Sequence, residues 1–261
     1  MSTRFGPKDI GGILGDAFRI YGGNLLRLLA IVAIVEVPLG IVAIVFGLVG
    51  FLGAGGLGMV GDPWALGAFI GTMVAFIVVF AIVSIVAGVL MTGAVIHAVS
   101  EQYVRKTISI GEAYRFALGR LGSMLGAAAL AGLAVFGMAI TVIGIPFAVY
   151  FGVRWLFVYQ AALLEVTGPR AALSRSSALV KGTWWRVFGI ILVIGIIVFA
   201  ASAILGLIPV VGSIIGTILV TPFGVAGGTL LYYDLRVRKE EYSLEGLASE
   251  LQISIGGEQE S

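Results

Sequence analysis

Two ionisable residues, Glu36 and Arg154, stand inside apolar segments that are long enough to cross a membrane. A lone charge at bilayer depth costs at least about 2.5–3.5 kcal/mol on insertion scales, so each should seek a partner. Counted from the ends of their segments at about 1.5 Å per residue, the two residues lie at similar depths. We therefore predict an intramembrane ion pair, Glu36 with Arg154, that joins the first and fourth spans. The alternative is a protonated Glu36 and an Arg154 side chain that reaches outward to the headgroups.

The other residue types that support catalysis are scarce. The chain has no cysteine, which excludes disulfides, thiolate metal sites and cysteine nucleophiles. The chain has a single histidine, His97, which excludes most histidine-based metal sites and Ser-His-Asp arrangements. His97 stands beside Glu101 at the end of an apolar segment, where it could titrate near neutral pH or be a solvated helix end. The sequence therefore predicts no catalytic residue, no metal site, no cofactor and no enzyme.

Glycines form two further patterns. Residues 53–58 match the G-x-G-x-x-G fingerprint of dinucleotide sites, but that site needs a strand before it and a helix after it. Here an apolar helix precedes the glycines, so we predict a flexible external loop. Small-xxx-small pairs let membrane helices pack closely, and we expect packing within the bundle rather than dimerisation. These pairs are Gly67/Gly71, Gly122/Gly126, Gly212/Gly216 and Gly224/Gly228.

The amino-acid composition indicates the class of protein in which these residues lie. Of 261 residues, 59% are apolar and 11% are charged. A soluble domain has about 45–50% apolar and about 25% charged residues, so this chain could not coat a water-facing surface. The chain is therefore predicted to be an integral membrane protein.

Six apolar segments reach the roughly 20 residues that a spanning helix needs. They predict an all-α fold, a polytopic transmembrane helical bundle of three hairpins in a single domain, residues 1–240. A short cytoplasmic tail, residues 241–261, follows, with Ser243 capping a helix over 244–251. The predicted spans are residues 25–52, 66–99, 124–143, 147–164, 187–207 and 210–233.

Basic residues are confined to one side of the predicted bundle. The connections near residues 53–65, 144–146 and 208–209 carry no lysine or arginine. Because cytoplasmic segments are enriched in basic residues, both termini should be cytoplasmic in a cell membrane, with Asp62, Gly144 and Pro209 outside. Fifteen of the sixteen basic residues lie on the other side: Arg4, Lys8, Arg19, Arg27, Arg105, Lys106, Arg115, Arg120, Arg170, Arg175, Lys181, Arg186, Arg236, Arg238 and Lys239.

A short amphipathic helix is predicted before each hairpin. Residues 10–21 and 110–121 carry apolar residues at i, i+3, i+4 and i+7, and residues 169–181 show a weaker stripe. Ser109 and Glu112 form a capping-box signature. We expect these interfacial helices to lie flat in the headgroup plane; the alternative is a short helix that packs on the bundle.

Membrane lipids are the predicted partners, through their anionic headgroups in the inner leaflet. An unidentified membrane protein is a further possible partner, and nothing indicates nucleic acid. The aromatic residues at the span ends are explained as anchors. The predicted headgroup contacts are Arg115, Arg120, Arg175, Lys181, Arg186, Arg236, Arg238 and Lys239.

Several short motifs resemble a known family, the prokaryotic membrane-domain family named after glycerophosphoryl diester phosphodiesterases. The resemblance implies six spans in a bacterial or archaeal cell membrane. It implies no catalysis, because the phosphodiesterase barrel and its metal-binding His and Glu residues are absent. The motifs are Asp16-Ala17-Phe18-Arg19-Ile20-Tyr21, Val153-Arg154-Trp155, Leu164-Glu165, Ala172-Leu173-Ser174-Arg175-Ser176, Lys181-Gly182-Thr183-Trp184-Trp185-Arg186 and Tyr232-Tyr233-Asp234-Leu235-Arg236-Val237-Arg238-Lys239-Glu240.

Three functional classes follow from the sequence. The first is a non-enzymatic membrane domain that organises lipid or partner proteins. The second is a small-solute transporter or channel, which would use a polar route near Glu36 and Arg154, with Thr221-Pro222 as a helix break. The third, an intramembrane enzyme, lacks a recognisable nucleophile, base and metal set. The first class is the preferred interpretation.

Overall fold

The computed structural model describes residues 6–56, 63–105, 107–165, 168–208 and 211–252. Across these ranges the regular structure is entirely α-helical. The helices are α1 Ile10–Gly23, α2 Leu25–Gly56, α3 Pro63–Val104, α4 Ile110–Gly119, α5 Leu121–Ala139, α6 Ile145–Arg154, α7 Val158–Leu164, α8 Pro169–Val180, α9 Trp184–Leu205, α10 Val211–Glu240 and α11 Leu244–Glu250.

Six segments are long and apolar enough to cross a membrane, which confirms the all-α polytopic bundle. The chain is thus a multi-pass membrane protein. The short helices α1, α4 and α8 precede the three hairpins, as predicted. The six segments are Leu25–Gly53, Trp64–Val104, Leu121–Ala139, Ile145–Leu164, Trp184–Leu205 and Gly212–Glu240.

One part of the bundle exposes large apolar side chains over the length of a bilayer. From Trp64 to Ile85 no residue of α3 with a described side chain is buried, and Ile85 itself is 62% exposed. Those 22 positions span about 32 Å, close to the roughly 30 Å hydrocarbon core of a membrane. An apolar surface of this extent fits contact with lipid rather than with water.

The other part has a conventional packed core. Residues Ala94 to Val99 of α3 are almost completely buried. They pack with buried side chains of α1, α4, α5, α7 and α10. The C-terminal ends of α3 and α10 therefore lie in this packed core, next to the part of the bundle that exposes its apolar side chains. This explains why α3 runs to Val104, beyond the predicted span end at residue 99.

Helix α1 runs along α10 instead of across it. The backbone N–H of Lys8 donates to Asp234 Oδ1 at 2.7 Å, and the Tyr21 hydroxyl donates to the Leu219 carbonyl at 2.8 Å. Lys8 and Tyr21 are about 20 Å apart along a helix, and Leu219 and Asp234 about 22 Å, so the two helices are antiparallel neighbours. These contacts favour the alternative given by the sequence, a short helix that packs on the bundle. Its apolar stripe packs on the bundle, where Ile13 and Ala17 are fully buried, while Ile10 and Phe18 at the edges of the stripe are exposed.

Helix α4 packs along α3 in the same manner. Ser109 lies beside Glu101, and Ala117 lies beside Gly93, where an added Cβ would come within 3.0 Å of the Ala117 side chain. Ala117 follows Ser109 by eight residues, whereas Gly93 precedes Glu101 by eight residues, so the two helices run antiparallel. The predicted cap is present, because Ser109 Oγ accepts from the Glu112 amide. The alternative of a helix packed on the bundle thus describes α4 as well.

The predicted fourth span is broken in two. The chain leaves helical geometry between α6 and α7, at Trp155–Phe157. The Ser176 hydroxyl of α8 fills the break, donating to the Arg154 carbonyl at 2.8 Å and accepting from the Phe157 amide at 3.1 Å. Because a side chain satisfies these two backbone groups, the break is tolerated inside the protein.

The glycine pairs mostly serve contacts inside the bundle. An added Cβ at Gly126 would lie 2.5 Å from Pro169, and one at Gly212 would lie 2.1 Å from the Leu205 carbonyl oxygen. The Gly67/Gly71 pair has open space around it. Part of the predicted external loop is also corrected, because Gly53 and Gly56 complete the last turns of α2, and residues 57 and 58 lie outside the described residues.

Candidate functional site at the charged end

The ion pairs gather at one end of the bundle, which we call the charged end. It comprises residues 6–23, 101–120, 165–186 and 232–252 among the described residues. Every ion pair found in the described ranges lies here. Carboxylates of the chain itself therefore pair with seven of the basic residues that define the topology: Lys8, Arg19, Arg105, Arg175, Arg186, Arg236 and Arg238.

Asp234 is the centre of the first network. Its side chain is 1% exposed and accepts from Arg186 at 2.7 Å and from Arg238 at 3.0 Å. The same two guanidinium groups donate to the Lys8 carbonyl, and the Lys8 amide donates to Asp234. One carboxylate thus connects the segment before α1 with α9 and α10.

Arg236 is the centre of a second network, which holds α11. Its guanidinium donates to both carboxylate oxygens of Glu250 at 2.9 Å and lies 3.5 Å from the ring centroid of Tyr242. Tyr242 in turn donates to Glu250 at 2.6 Å. Glu240, one turn after Arg236 on α10, accepts from it as well. The predicted cap of α11 is confirmed, because Ser243 accepts from the Gly246 amide.

A third network joins α7, α8 and α10 through Arg175. Its Nε donates to Glu165 at 2.5 Å and its Nη2 donates to Glu240 at 2.6 Å. The hydrogen bonds to Glu240 and Glu165 raise the pKa of the Arg175 guanidinium above its ordinary value. Tyr232 donates to Glu165 from the other side. These contacts fix the three helices relative to one another.

The networks change the set of predicted headgroup contacts. Arg175, Arg186, Arg236 and Arg238 are all paired with carboxylates, and Arg236 is 6% exposed, so it cannot reach a headgroup. Lys239 donates to the carbonyls of Lys181 and Ala178. The ion pairs within α10 could have been predicted from the sequence, since Asp234/Arg238 and Arg236/Glu240 have the i,i+4 spacing of helix ion pairs.

Four of the predicted contacts, Arg115, Arg120, Lys181 and Lys239, form no ion pair with a carboxylate in the described structure. Arg115 and Lys181 are exposed on the protein surface. Arg120 lies over the ring of Phe116, 3.8 Å from its centroid, and no carboxylate contacts its guanidinium. Arg120 directly precedes Leu121, the first residue of the span α5, which places it where a membrane helix enters the headgroup region.

Arg115 and Arg120 line an open groove between α4 and the end of α11. The groove has a volume of about 510 Å³. Its remaining lining residues are His97, Arg105, Glu112, Phe116, Gly119, Leu251 and Gln252. A neighbouring hollow of about 400 Å³ shares Arg120 and Gln252 with it and reaches Glu165 and Glu250.

His97 is buried and not the solvated helix end considered from the sequence. It is 3% exposed, with its ring 4.4 Å from that of Phe116. Its Nδ1 atom has no hydrogen-bond partner in the described structure. Sequence reasoning missed this position because the helix α4 that covers it comes from a later segment of the chain.

Glu36 and Arg154 do not form the predicted intramembrane ion pair. Glu36 lies on α2, which packs mainly against α10 and α3, whereas Arg154 ends α6, which packs mainly against α5. The Arg154 guanidinium lies instead 5.6 Å from the ring centroid of Tyr150. The depth argument failed because equal depth does not make two helices neighbours.

No metal-binding group of three or more His, Cys, Asp or Glu side chains occurs in the part of the chain described here. Compared with protein-family models, curated proteins and solved structures, the chain matches none.

Proposed function

We propose that this chain is a non-enzymatic membrane domain that organises anionic lipids at its charged end. The observation that carries the proposal is the position of Arg120, free of carboxylates at the start of a span, with Arg115 and Lys181 exposed at the same end. A basic residue near an anionic leaflet contributes about 1 kcal/mol of attraction, and three of them act together.

The charged end would face the cytoplasm in this proposal, in the cell membrane of a prokaryote. The support is the one-sided distribution of lysine and arginine in the sequence. The motif resemblance to the membrane-domain family points in the same direction. Transport is less favoured, because Glu36 and Arg154, the two charges of the proposed polar route, lie in separate groups of helices.

The internal ion pairs divide the cations of the charged end into two groups with different roles in lipid binding. Most of its cations are held by carboxylates and brace the helices, so they set the shape of the surface. Among the cations without a carboxylate partner, we assign the attraction of lipid to Arg115, Arg120 and Lys181, three of the predicted headgroup contacts. Trp185, 78% exposed at the start of α9, is an anchor of the kind that sits at headgroup depth.

The test is the lipid that the protein retains when it is extracted in native nanodiscs. We expect mass spectrometry to show anionic lipids enriched over the bulk membrane, by up to about fivefold for each free cation. The triple variant Arg115→Gln, Arg120→Gln, Lys181→Gln should lose most of this enrichment.

The matched control is Arg19→Gln, which removes a basic residue that is 60% exposed but paired with Asp16 at 3.0 Å. It should retain the enrichment. Retained lipid that matches the bulk membrane in the unmodified protein would contradict the proposal, and a stoichiometric second protein with bulk lipid would replace it by a protein-binding role.

A further inference from the structure

The groove between α4 and α11 carries more positive charge than its own acids balance. Three arginines line it, Arg105, Arg115 and Arg120, against one carboxylate, Glu112. Glu112 is engaged by Arg105 at 3.1 Å. Two guanidinium groups, those of Arg115 and Arg120, therefore face the groove without a carboxylate in contact.

The carboxylates beyond Arg120 do not cancel this excess. Glu165 and Glu250 line the neighbouring hollow, but Glu165 is held by Arg175 and Glu250 is held by Arg236. Burial lowers the pKa of the Arg120 guanidinium, and this effect is larger than the opposing attraction of Glu250, so the charge of Arg120 is only partly compensated. A cation in this position is stabilised by an anion that enters the groove.

His97 gives an independent indication of a ligand. A buried polar atom without a partner is unusual in a folded protein, and the Nδ1 atom of His97, a residue of the groove lining, is such an atom in the described structure. Phe116 contacts both the His97 ring and the Arg120 guanidinium, so all three side chains belong to one part of the groove lining. Two arginines and a histidine present planar N–H donors of the kind that bind phosphate oxygens.

We propose that this groove is a binding site for the phosphate group of an anionic ligand, with Arg115 and Arg120 as the charged donors and His97 as a third hydrogen-bonding group. The volume of about 510 Å³ accommodates a phosphate with its substituent. The phosphate belongs either to a lipid headgroup or to a soluble compound. This inference deepens the proposed function. It depends on that function only if the phosphate belongs to a lipid headgroup.

The experiment uses the full chain in nanodiscs of phosphatidylcholine and measures two ligands. Inorganic phosphate is titrated from solution by calorimetry, and phosphatidic acid is added to the bilayer and counted on the protein by native mass spectrometry. Binding of the soluble anion assigns the site to a soluble phosphate compound, and binding of phosphatidic acid alone assigns it to a headgroup. Binding of neither overturns the proposal.

Variants separate a built site from diffuse attraction. Arg120→Gln should weaken binding by about tenfold or more, the size of one lost charge-assisted hydrogen bond. Arg115→Gln should do the same and serves as the second variant, because Arg115 is exposed and its loss leaves the core intact. Arg19→Gln, an exposed cation outside the groove that is paired with Asp16, should leave binding unchanged within about twofold.

A different result distinguishes the two proposals. If Arg115→Gln, Arg120→Gln and Lys181→Gln each weaken phosphatidic acid binding equally and slightly, the groove is not a site and the general lipid proposal stands. If anionic lipid is not enriched in native nanodiscs but inorganic phosphate binds the groove, the site stands and the lipid proposal falls.

Discussion

Replacing Asp234 by asparagine should lower the free energy of unfolding by about 3–5 kcal/mol, the cost of breaking a buried ion pair from one side. The side chain of Asp234 is 1% exposed and accepts from Arg186, Arg238 and the Lys8 amide. Asparagine keeps the size but leaves two guanidinium groups without their counter-charge. Unfolding by denaturant in detergent micelles, followed by circular dichroism, measures the loss.

The control for this prediction is Glu112→Gln, which removes a carboxylate from an exposed ion pair. The side chains of Arg105 and Glu112 are 42% and 49% exposed, so the change should cost less than about 1 kcal/mol. Glutamine also keeps the polar end of the helix cap. Equal losses for Asp234→Asn and Glu112→Gln would show that the Asp234 network does not hold the helices together.

Replacing Arg236 by methionine should cost about 3 kcal/mol and release α11 from the bundle. The guanidinium of Arg236 supplies two hydrogen bonds to Glu250 and one to Glu240, and removing one partner of a buried ion pair costs about 3–5 kcal/mol. The low end applies here, because Glu240 keeps Arg175 as a partner. Hydrogen exchange should show loss of amide protection over residues 244–250, with protection of residues 94–99 retained.

The matched variant is Arg238→Met, two residues along the same helix. Arg238 is 36% exposed, and its partner Asp234 keeps Arg186, so α11 should stay protected. If Arg236→Met leaves residues 244–250 protected, the packing of Leu247 alone, fully buried in α11, holds this helix. Arg236 would then be a minor contributor.

The spans could be predicted from local patterns, because each span is a continuous apolar segment that ends near Gly or Pro residues. The caps of α4 and α11 were predictable for the same reason, since Ser109 and Ser243 act within one turn. The i,i+4 pairs on α10 were equally readable but were assigned to lipid instead. Such features need no knowledge of which helices are neighbours.

Long-range contacts could not be predicted from one sequence. Ser176, which satisfies the backbone at the break in the fourth span, is 22 positions away from Arg154 in the sequence. Lys8 and Asp234 form a hydrogen bond although 226 positions separate them. The stripe of α1 shows that a face is apolar but not whether lipid or protein covers it. For the candidate site, Arg115 and Arg120 were predicted individually, whereas the groove and the burial of His97 depend on α4 and α11 packing at the end of α3.

We propose that the charged end of the six-span bundle faces the cytoplasmic leaflet, and a topology reporter measures this orientation. Alkaline phosphatase is active only where its disulfides form, outside the cytoplasm. In a bacterial host we expect a fusion after Ser261 to be inactive and an insertion after Gly58, in the connection without basic residues, to be active. High activity after Ser261 with an inactive Gly58 insertion would contradict the account.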